Sequence, residues 1–387
     1  MMINGKSRPV AAHFSGAFFV KSETFIYHYL SHMKSFTPIC LAWRIENLGE
    51  GGFFFSPRDI YSLQLRRYSS KWFYYGILKR ILRRNLNFEN ILKKRGARLL
   101  HAHFGHNGVQ ALKVKKKVKI PLVTTFYGAD LSKSDMIKPL MKHYKKLFAQ
   151  GEMFLVEGEH MKLMLQGLGC PPEKIHIQRI AIPVETIQYK ERKPKGKNIT
   201  WLLFCGRFTE KKGLVYALEA VKKVYNEHHC RNIRFCIIGD GELKEEIEAF
   251  IDKNKMKKYV ELPGFLSYRD YLKKVEEADI FIHPSVTASD GDSEGGAPTT
   301  ILEAQAMGLP IISTEHADIP NVVVPNRSAL LSAERNVEAL TRNILFLLEN
   351  QQLWSPMGKV GREFVEEYHD IKKEVLNLEE KYKSLLE

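Results

Sequence analysis

The chain has 387 residues, and its hydrophobic content of 44% with 11% aromatic residues excludes wholesale disorder. This length exceeds one ordinary domain and favours two. No run of 18 apolar residues occurs and the start lacks the apolar segment of a signal peptide, so we expect a cytoplasmic protein without a membrane-spanning helix. Its 5 cysteines are scattered without a CxxC pattern, which agrees with a reducing compartment.

The formal net charge of +15 is concentrated in the first half of the chain. Residues 1–190 hold 31 Lys and Arg against 12 Asp and Glu, whereas the remainder holds 28 against 32. Over 66–98 the basic residues are interleaved with aromatic and aliphatic ones, a pattern typical of membrane-surface segments. The anionic inner face of a membrane and nucleic acid are both candidate partners, and we favour the membrane. A merely solvated basic face is the alternative.

Apolar strands alternate with amphipathic helices through the first half. We predict strands at 9–14, 37–42, 98–103, 122–126, 153–156 and 174–180, and helices from Ser22 or Glu23, over 72–95, from near Asn107 and over 159–168. Ser22 is the expected N-cap of the first helix. Gly16 is predicted to lie in the turn after the first strand, where a glycine permits close approach of the backbone to phosphates.

The alternation restarts after a polar, basic stretch at 186–198, which has the composition of a linker. We predict strands at 199–205, 233–239, 259–262, 279–283, 310–314 and 328–332, and helices over 213–227, 241–254, 268–277 and 335–349. Alternation of this kind predicts an α/β fold with two parallel-sheet, Rossmann-like domains. Their predicted bounds are 1–185 and 199–365, followed by a charged helical tail at 366–387.

The stretch 283–310 is the most informative part of the chain. A buried strand ends at His283, a loop rich in Gly, Ser and Asp follows, and a helix opens at Pro298. Backbone N–H groups and the positive end of the helix dipole predict an anion site there. Asp290-Gly291-Asp292 imitates a metal-binding DxD motif, but we interpret it as an acidic loop and predict no metal.

A second strand, turn and helix start carries two cations. Gly206 follows the predicted strand, and Arg207 and Lys212 flank the turn that leads into the next helix. A guanidinium offers a forked contact and an ammonium a point charge, so the pair suits a diphosphate.

Several motifs together resemble the retaining family-four glycosyltransferases of GT-B fold: GRFTEKKG, IIGDGELKEEIE, LPGFLSYRDYLKKVEEADIFIHPS and EGGAPTTILEAQAMGLPIIST. SETFIYHYL, HAHFG and TTFYGAD resemble the branch that acts in exopolysaccharide, colanic-acid or lipopolysaccharide assembly. The resemblance implies two Rossmann-like domains facing across a cleft and a C-terminal helix crossing back onto the first domain. It also implies a nucleotide-diphosphate sugar as donor, a saccharide or lipid-linked saccharide as acceptor, and no cofactor.

Site residues follow from the resemblance by position. Arg207 and Lys212 match the diphosphate clamp, Glu303 the glutamate that binds the ribose, and Glu294 the first of the paired glutamates. Further donor-binding candidates are Gly16, Gly206, Gly295, Gly296, Ala297, Pro298 and Thr299. Glu294 and Glu303 lie nine residues apart, one more than is usual in the family, because the loop contains an extra glycine.

Tyr127 stands where the family usually has a histidine beside the donor sugar. A tyrosine is a poor general base near neutral pH, so either His103 or His101 substitutes, or the leaving group suffices. The catalytic candidates are therefore Arg207, Lys212, Glu294, Tyr127 and His103. Candidates on the acceptor side are Glu23, His101 and Asp130. We expect His101, His103 and His106 to be satisfied polar residues, with a metal triad as the alternative.

The predicted function is glycosyl transfer from a nucleotide sugar in cell-surface polysaccharide synthesis, at the inner face of the membrane. The first alternative is an inactive or regulatory nucleotide-sugar-binding protein, which Tyr127 favours. An epimerase or phosphorylase on the same architecture is a further alternative. A nucleic-acid-binding protein would explain the basic half but not Arg207, Lys212 and Glu303.

Overall fold

The chain is organised around two parallel sheets. The computed structural model describes residues 2–3, 6–50, 52–64, 86–196, 198–296 and 298–387. Contacts divide the chain into two units. Unit 1 comprises Met1–Leu131, Asp135–Ala181 and Ile371–Glu387, and unit 2 comprises Ser132–Ser134 and Ile182–Asp370. The predicted α/β class with two Rossmann-like folds is confirmed.

Unit 1 holds a seven-stranded sheet among its described residues, in the order β5-β4-β3-β6-β7-β8-β9. Its strands are β3 (Val10–Phe18), β4 (Thr37–Ile45), β5 (Ile60–Ser62), β6 (Ala97–His103), β7 (Leu122–Thr125), β8 (Met153–Val156) and β9 (Ile175–Ile177), preceded by an antiparallel pair, β1 (Met2–Ile3) and β2 (Lys6–Ser7). Its helices are α1 (Thr24–His32), α2 (Leu86–Arg95), α3 (Gly105–Val118), α4 (Ala129–Ser132), α5 (Ser134–Gln150), α6 (Glu159–Gly167) and α13 (Ile371–Ser384).

The two faces of this sheet have separate cores because successive side chains of a strand point in opposite directions. Leu100 packs with Phe14 and Phe126 in the core beneath α3 and α5. Leu99 points the other way and packs with residues of α1 and α13. His101 and His103 have the parity of Leu99, so they lie on the face covered by α1 and α13.

Unit 2 holds a six-stranded sheet among its described residues, in the order β12-β11-β10-β13-β14-β15. Its strands are β10 (Thr200–Cys205), β11 (Ile233–Ile238), β12 (Val260–Gly264), β13 (Ile280–His283), β14 (Ile311–Thr314) and β15 (Ala329–Ser332), and every neighbouring pair is parallel. Its helices are α7 (Leu214–Asn226), α8 (Lys244–Lys253), α9 (Tyr268–Glu277), α10 (Thr299–Ala306), α11 (Val337–Glu349) and α12 (Trp354–Tyr368).

Most predicted elements are confirmed to within a few residues, but the strands β1, β2 and β5 and the helices α4 and α5 were not predicted. Helix α5 was not predicted, since Pro139 lies inside it and a proline is a strong breaker signal. Strand β3 runs on to Phe18, so Gly16 lies within the strand and not in a turn. The turn follows at Phe19, which has a positive φ, and Glu23 rather than Ser22 occupies the N-cap of α1. Of the predicted helix over 72–95, the portion 72–85 lies outside the described residues.

Helix α13 is fastened to unit 1 by a buried carboxylate. Glu379 is 1% exposed, and its Oε1 accepts hydrogen bonds from the backbone amides of Lys34 at 2.7 Å, Ser35 at 2.6 Å and Phe36 at 3.2 Å. Those amides lie just beyond the end of α1. The Glu379 carboxylate supplies the hydrogen-bond acceptor that the helix does not provide for them. The last helix of the chain is thereby an integral layer of unit 1.

No helix within the described part of the chain combines the length and the apolar character needed to cross a bilayer. The exposed faces carry charge instead.

We expect Glu379→Ala to lower the free energy of unfolding by roughly 2–3 kcal/mol, because three amides lose a charged acceptor. Glu379→Gln retains an oxygen acceptor and should cost less. Urea unfolding followed by circular dichroism measures the difference. Glu380→Gln, at the exposed neighbouring position, is the matched control and should be neutral. Equal stability of Glu379→Ala and the control would contradict this role.

Candidate functional site

The candidate site of unit 2 lies where β10, β13 and β14 end. These strands are neighbours in the sheet, and carboxyl ends of adjacent parallel strands bring the following loops together. Gly206 follows β10, Ser285 lies two residues beyond β13, and His316 lies two residues beyond β14. The Gly-rich loop that precedes α10 completes the set.

A buried ion pair occupies the centre of this site. Lys212 Nζ lies 2.7 Å from Glu294 Oε1, and the two side chains are 13% and 8% exposed. Burial by itself would raise the pKa of Glu294, but the Lys212 ammonium holds that pKa well below its usual range. Burial lowers the pKa of Lys212, and Glu294 opposes that shift. The pair is therefore charged, and each member depends on the other.

Loop residues hold Glu294 in place from three directions. Ser285 Oγ donates to Glu294 Oε1 at 3.0 Å, and the buried His283 Nε2 lies 3.7 Å from the same oxygen. The backbone amide of Glu294 donates to His316 Nε2 at 3.1 Å. His316 Nδ1 in turn lies 2.6 Å from Glu334 Oε1, which fixes the tautomer that accepts from the amide.

Glycine is required at the turn that presents the cations. Gly213 has a φ of +63°, and a Cβ there would lie 1.8 Å from the carbonyl oxygen of Pro284. Because glycine has no side chain, the short 3-10 turn Glu210–Lys212 can lie against the end of β13. Lys212, directly before this glycine, points inward to Glu294. Arg207, earlier in the same connection, is exposed and forms no ion pair with the described residues.

Helix α10 begins directly after Pro298, in its N-cap position. Thr300 Oγ1 donates to the carbonyl of Cys205 at 3.3 Å, which ties the first turn of the helix to the end of β10. One turn later Glu303 is 6% exposed. Burial raises the pKa of Glu303 to about 7, against a smaller lowering by the hydroxyls of Tyr271 and Tyr268.

The acidic loop is internally neutralised. Lys211 is buried, and its Nζ donates to Asp292 Oδ1 at 3.0 Å and to the carbonyl of Ser293 at 3.1 Å. Asp290 lies 3.0 Å from Lys133 and accepts from the backbone amide of Asp292. Both carboxylates thus have cationic partners from the chain itself.

The candidates of unit 1 lie at the ends of β6 and β7. His103 Nδ1 lies 2.7 Å from the Tyr127 hydroxyl, and burial raises the pKa of Tyr127 well above its ordinary value. Tyr127 is therefore a neutral phenol at neutral pH. Asp130 is fully buried, and its carboxylate accepts from the backbone amides of Gly105 and Tyr127. That carboxylate caps α3, and burial raises its pKa to about 6.

Comparison with protein families identifies both halves of the chain. Residues 184–364 match the family model described as "Glycosyl transferases group 1", and residues 50–185 match "Glycosyltransferase Family 4". Among curated relatives, the putative colanic acid biosynthesis glycosyltransferase WcaL of Escherichia coli is 32% identical over 282 residues, covering 72% of this chain and 68% of the relative. The chain belongs to the group 1, family 4 glycosyltransferases.

A second relative of this glycosyltransferase is the amylovoran biosynthesis glycosyltransferase AmsK of Erwinia amylovora, 35% identical over 266 residues. The match covers 68% of this chain and 64% of AmsK, so it spans slightly less than two thirds of the relative. Two solved structures share the fold. HepE of Anabaena in complex with UDP has a TM-score of 0.74 at 12% identity, covering 98% of this chain and 100% of that one. Sucrose-phosphate synthase from Thermosynechococcus elongatus has a TM-score of 0.76 at 15% identity, covering 98% and 99%.

Within unit 2 of the glycosyltransferase, most residues named from the sequence lie in one region. Arg207, Lys212 and Glu294 flank the ends of β10 and β13, and Glu303 lies one turn into α10. Other named residues of this region are Gly206, Gly295, Gly296, Pro298 and Thr299. Ala297 lies outside the described residues. Within unit 1, Tyr127, His103 and His101 lie together, and Glu23 occupies the N-cap position of α1 without a side-chain capping bond. Gly16 lies in β3, where an added Cβ would meet no atom within 4 Å.

Sequence reasoning missed the residues that support the site. Ser285, His316 and Glu334 hold the Glu294 loop, and Lys211 neutralises Asp292. His13 joins His101 and His103 in unit 1, in place of His106, which lies on α3. The available signal was polar residues at or just beyond the ends of buried strands, which His283, Ser285 and His316 all show.

We expect the stability of the protein to depend on pH through Glu303. The pKa of Glu303 in the folded protein is about 7, above its ordinary value of 4.5. Protonated Glu303 therefore contributes fully to the free energy of unfolding below pH 4.5, and this contribution is lost as pH rises through about 7. Relative to the parent, Glu303→Gln should gain roughly 3 kcal/mol between pH 4.5 and pH 8.5. Urea unfolding across this range measures the gain.

The matched control is Glu315→Gln, at an exposed glutamate beyond β14. Its stability relative to the parent should be constant over the same range. A parallel pH dependence in both variants would show that Glu303 is not the titrating group.

Proposed function

We propose that this protein is a retaining glycosyltransferase that moves a sugar from a nucleoside-diphosphate sugar to a saccharide or lipid-linked saccharide acceptor during cell-surface polysaccharide synthesis. The proposed donor site rests on one observation. In unit 2, the exposed Arg207, the Lys212–Glu294 pair and the start of α10 lie in the same region. Free amides at a helix start and two cations form a site for a diphosphate.

The comparisons support this proposal from two sides. The relatives AmsK and WcaL are named for amylovoran and colanic acid biosynthesis, which are polysaccharides. The structural neighbour HepE is described in complexes with UDP, with UDP and glucose, and with UDP-glucose. A nucleotide sugar is therefore the first class of ligand to test on this chain.

Arg207 and Lys212 have different tasks in the proposed site. Arg207 is exposed and forms no ion pair with the described residues, so its guanidinium is available to a diphosphate. Lys212 is already neutralised by Glu294, which avoids an uncompensated buried cation before the donor binds. Glu303 is one turn further along α10, where its carboxylate would accept hydrogen bonds from the ribose hydroxyls.

The proposed reaction breaks the bond between the anomeric carbon and the β-phosphate oxygen. Negative charge then grows on the departing phosphate, where Arg207, Lys212 and the start of α10 stabilise it, and one such preorganised donor is worth about 3–4 kcal/mol. The acceptor oxygen attacks the anomeric carbon from the same face and gives its proton to the departing phosphate oxygen. Retention is inferred from the family resemblance.

This route gives Tyr127 a supporting role. Because its pKa is raised well above the ordinary value, the phenol does not serve as a general base near neutral pH. Its hydroxyl is held by His103 and can bind a sugar oxygen. We propose that the departing phosphate, rather than Tyr127 or His103, accepts the proton.

We expect Arg207→Ala to weaken the binding of the cognate nucleotide sugar by roughly 10- to 100-fold, because one charge-assisted contact to the diphosphate is lost. Arg207→Lys should be intermediate, since an ammonium cannot form the forked contact. A thermal-shift screen of UDP-, GDP- and ADP-sugars selects the donor, and calorimetric titration then gives the dissociation constants. Arg342→Ala, at an exposed arginine on α11, is the matched control.

Affinity unchanged in Arg207→Ala would refute the donor site. Turnover is measured separately, with a labelled donor and lipid-linked acceptors. Binding without any transfer would favour the alternative of an inactive nucleotide-sugar-binding protein. Tyr127, in place of the usual histidine, is the residue that favours this alternative.

We also propose that unit 1 contacts the anionic inner face of the membrane. The segment richest in mixed basic and aromatic residues, 66–85, lies outside the described residues. Helix α5 supports the proposal independently, because four of its lysines are exposed: Lys138, Lys142, Lys145 and Lys146. Such a surface attracts anionic lipids at about 1 kcal/mol for each lysine near the bilayer.

We expect the protein to sediment with vesicles that contain phosphatidylglycerol and not with neutral phosphatidylcholine vesicles. Binding should fall steeply as salt rises, since surface charges are screened. Replacement of Lys142, Lys145 and Lys146 by glutamate should reduce the bound fraction, whereas the same change at Lys253, Lys255 and Lys257 of unit 2 should not. Equal binding to both vesicle types would argue against the membrane proposal.

A further inference from the structure

Three histidines lie together on one face of the sheet of unit 1. His13 is on β3, and His101 and His103 are on the adjacent strand β6, with His13 and His101 paired in register. One nitrogen from each ring lies within 4.8 Å of the others. All three side chains are 3% exposed or less, so the cluster is fully enclosed by the sheet, α1 and α13.

Buried imidazoles of this kind are neutral and keep a lone pair. Burial lowers the pKa of His13 to about 3, and it lowers the pKa values of His101 and His103 well below the ordinary value. A neutral imidazole is the form that ligates a metal, and no proton has to be displaced from these rings at neutral pH.

The hydrogen bonds of the cluster leave one nitrogen without a partner. His13 Nδ1 lies 3.1 Å from His103 Nε2, and His103 Nδ1 lies 2.7 Å from the Tyr127 hydroxyl. His13 Nε2 is buried and has no hydrogen-bond partner among the described residues. Whichever tautomers are assigned, this ring has a polar atom that the protein does not satisfy, which is rare and costly, and its other nitrogen is the one that faces His103.

We propose that His13, His101 and His103 bind a divalent transition-metal ion of the Zn²⁺ class. Zinc–nitrogen bonds of about 2.0–2.1 Å in a tetrahedron place ligand nitrogens about 3.3 Å apart. His13 would ligate through Nδ1 and His103 through Nε2. Their separation of 3.1 Å is close to that value, and the ion would replace the hydrogen bond between them. Imidazole nitrogens without thiolate or carboxylate ligands suit zinc, copper and nickel.

The surroundings of the cluster match those of a metal site with three protein ligands. Hydroxyls hold the outer nitrogens: Tyr127 contacts His103, while Tyr382 and Thr125 contact the two nitrogens of His101 at 2.5 Å and 2.6 Å. His101 would ligate through Nε2 and give up Thr125, so that Tyr382 remains the partner of Nδ1. The remaining hydroxyls orient the rings, as outer partners of metal-bound histidines do.

A fourth coordination position is available beside the histidines. All three rings line a cavity of about 20 Å³, which has room for about one water molecule. Tyr29, Glu157 and Gln178 also line this cavity and supply polar groups for such a water. All residues of this proposed metal site belong to unit 1.

The test uses the full chain without a purification tag, stripped with a chelator and dialysed. We expect one equivalent of Zn²⁺ to bind in competition with a chromophoric chelator, and Co²⁺ to give the strong visible absorption of a tetrahedral site. His13→Gln and His103→Gln should each abolish both signals. His106→Gln, at a half-buried histidine outside the cluster, is the matched control and should keep them.

Tyr382→Phe provides a variant that leaves all three ligands in place. It should bind one equivalent of Zn²⁺ roughly 10- to 100-fold more weakly, the usual effect of removing an outer partner. Circular dichroism verifies the folding of each variant. Absence of stoichiometric binding to the parent, absence of the tetrahedral Co²⁺ spectrum, or binding that survives in a His13→Gln, His103→Gln double variant would overturn the proposal.

Discussion

The pairing of Lys212 with Glu294 is the interaction on which the candidate donor site depends. Both charges are buried, and removal of one partner from such a pair typically costs about 3–5 kcal/mol because the other charge is left uncompensated. The site therefore needs the 3-10 turn after β10 and the loop before α10 to be in place together. Gly213, Ser285 and His316 meet that need, each from a different loop.

This arrangement explains why the two cations of one short motif differ in environment. Lys212 is drawn inward by the contact between Gly213 and Pro284, and its charge is balanced within the protein. Arg207 stays exposed, and in the proposed donor site it would be the first cation to meet an incoming anion. Lys211, which the motif does not distinguish from Lys212, is buried against Asp292 and serves the acidic loop. Adjacent lysines thus have different partners because the turn points them in different directions.

Unit 1 uses polar burial in another way. Its sheet face beneath α1 and α13 holds His13, His101 and His103, together with the carboxylate of Glu379 and the hydroxyl of Tyr382. Two of these contacts join groups that lie far apart in sequence, since Tyr382 contacts His101 and Glu379 contacts the end of α1. The C-terminal helix therefore completes a polar layer that the first part of the chain cannot complete alone.

The sequence by itself determined the fold class and the order of most strands and helices, and it predicted Arg207, Lys212, Glu294 and Glu303 as site residues of unit 2. Apolar periodicity and glycine placement are local signals, and strand ends followed by Gly-rich turns are visible without tertiary information. Local signals were misleading at two places. Pro139 argued against a helix where α5 is present, and Gly16 predicted a turn where β3 continues. Only the tertiary structure decided which lysine pairs with Glu294, that His316 holds its loop, and that His13 rather than His106 joins His101 and His103. Those contacts join residues on neighbouring strands that lie far apart in the sequence. A local sequence pattern does not specify which strands are neighbours or how they are aligned.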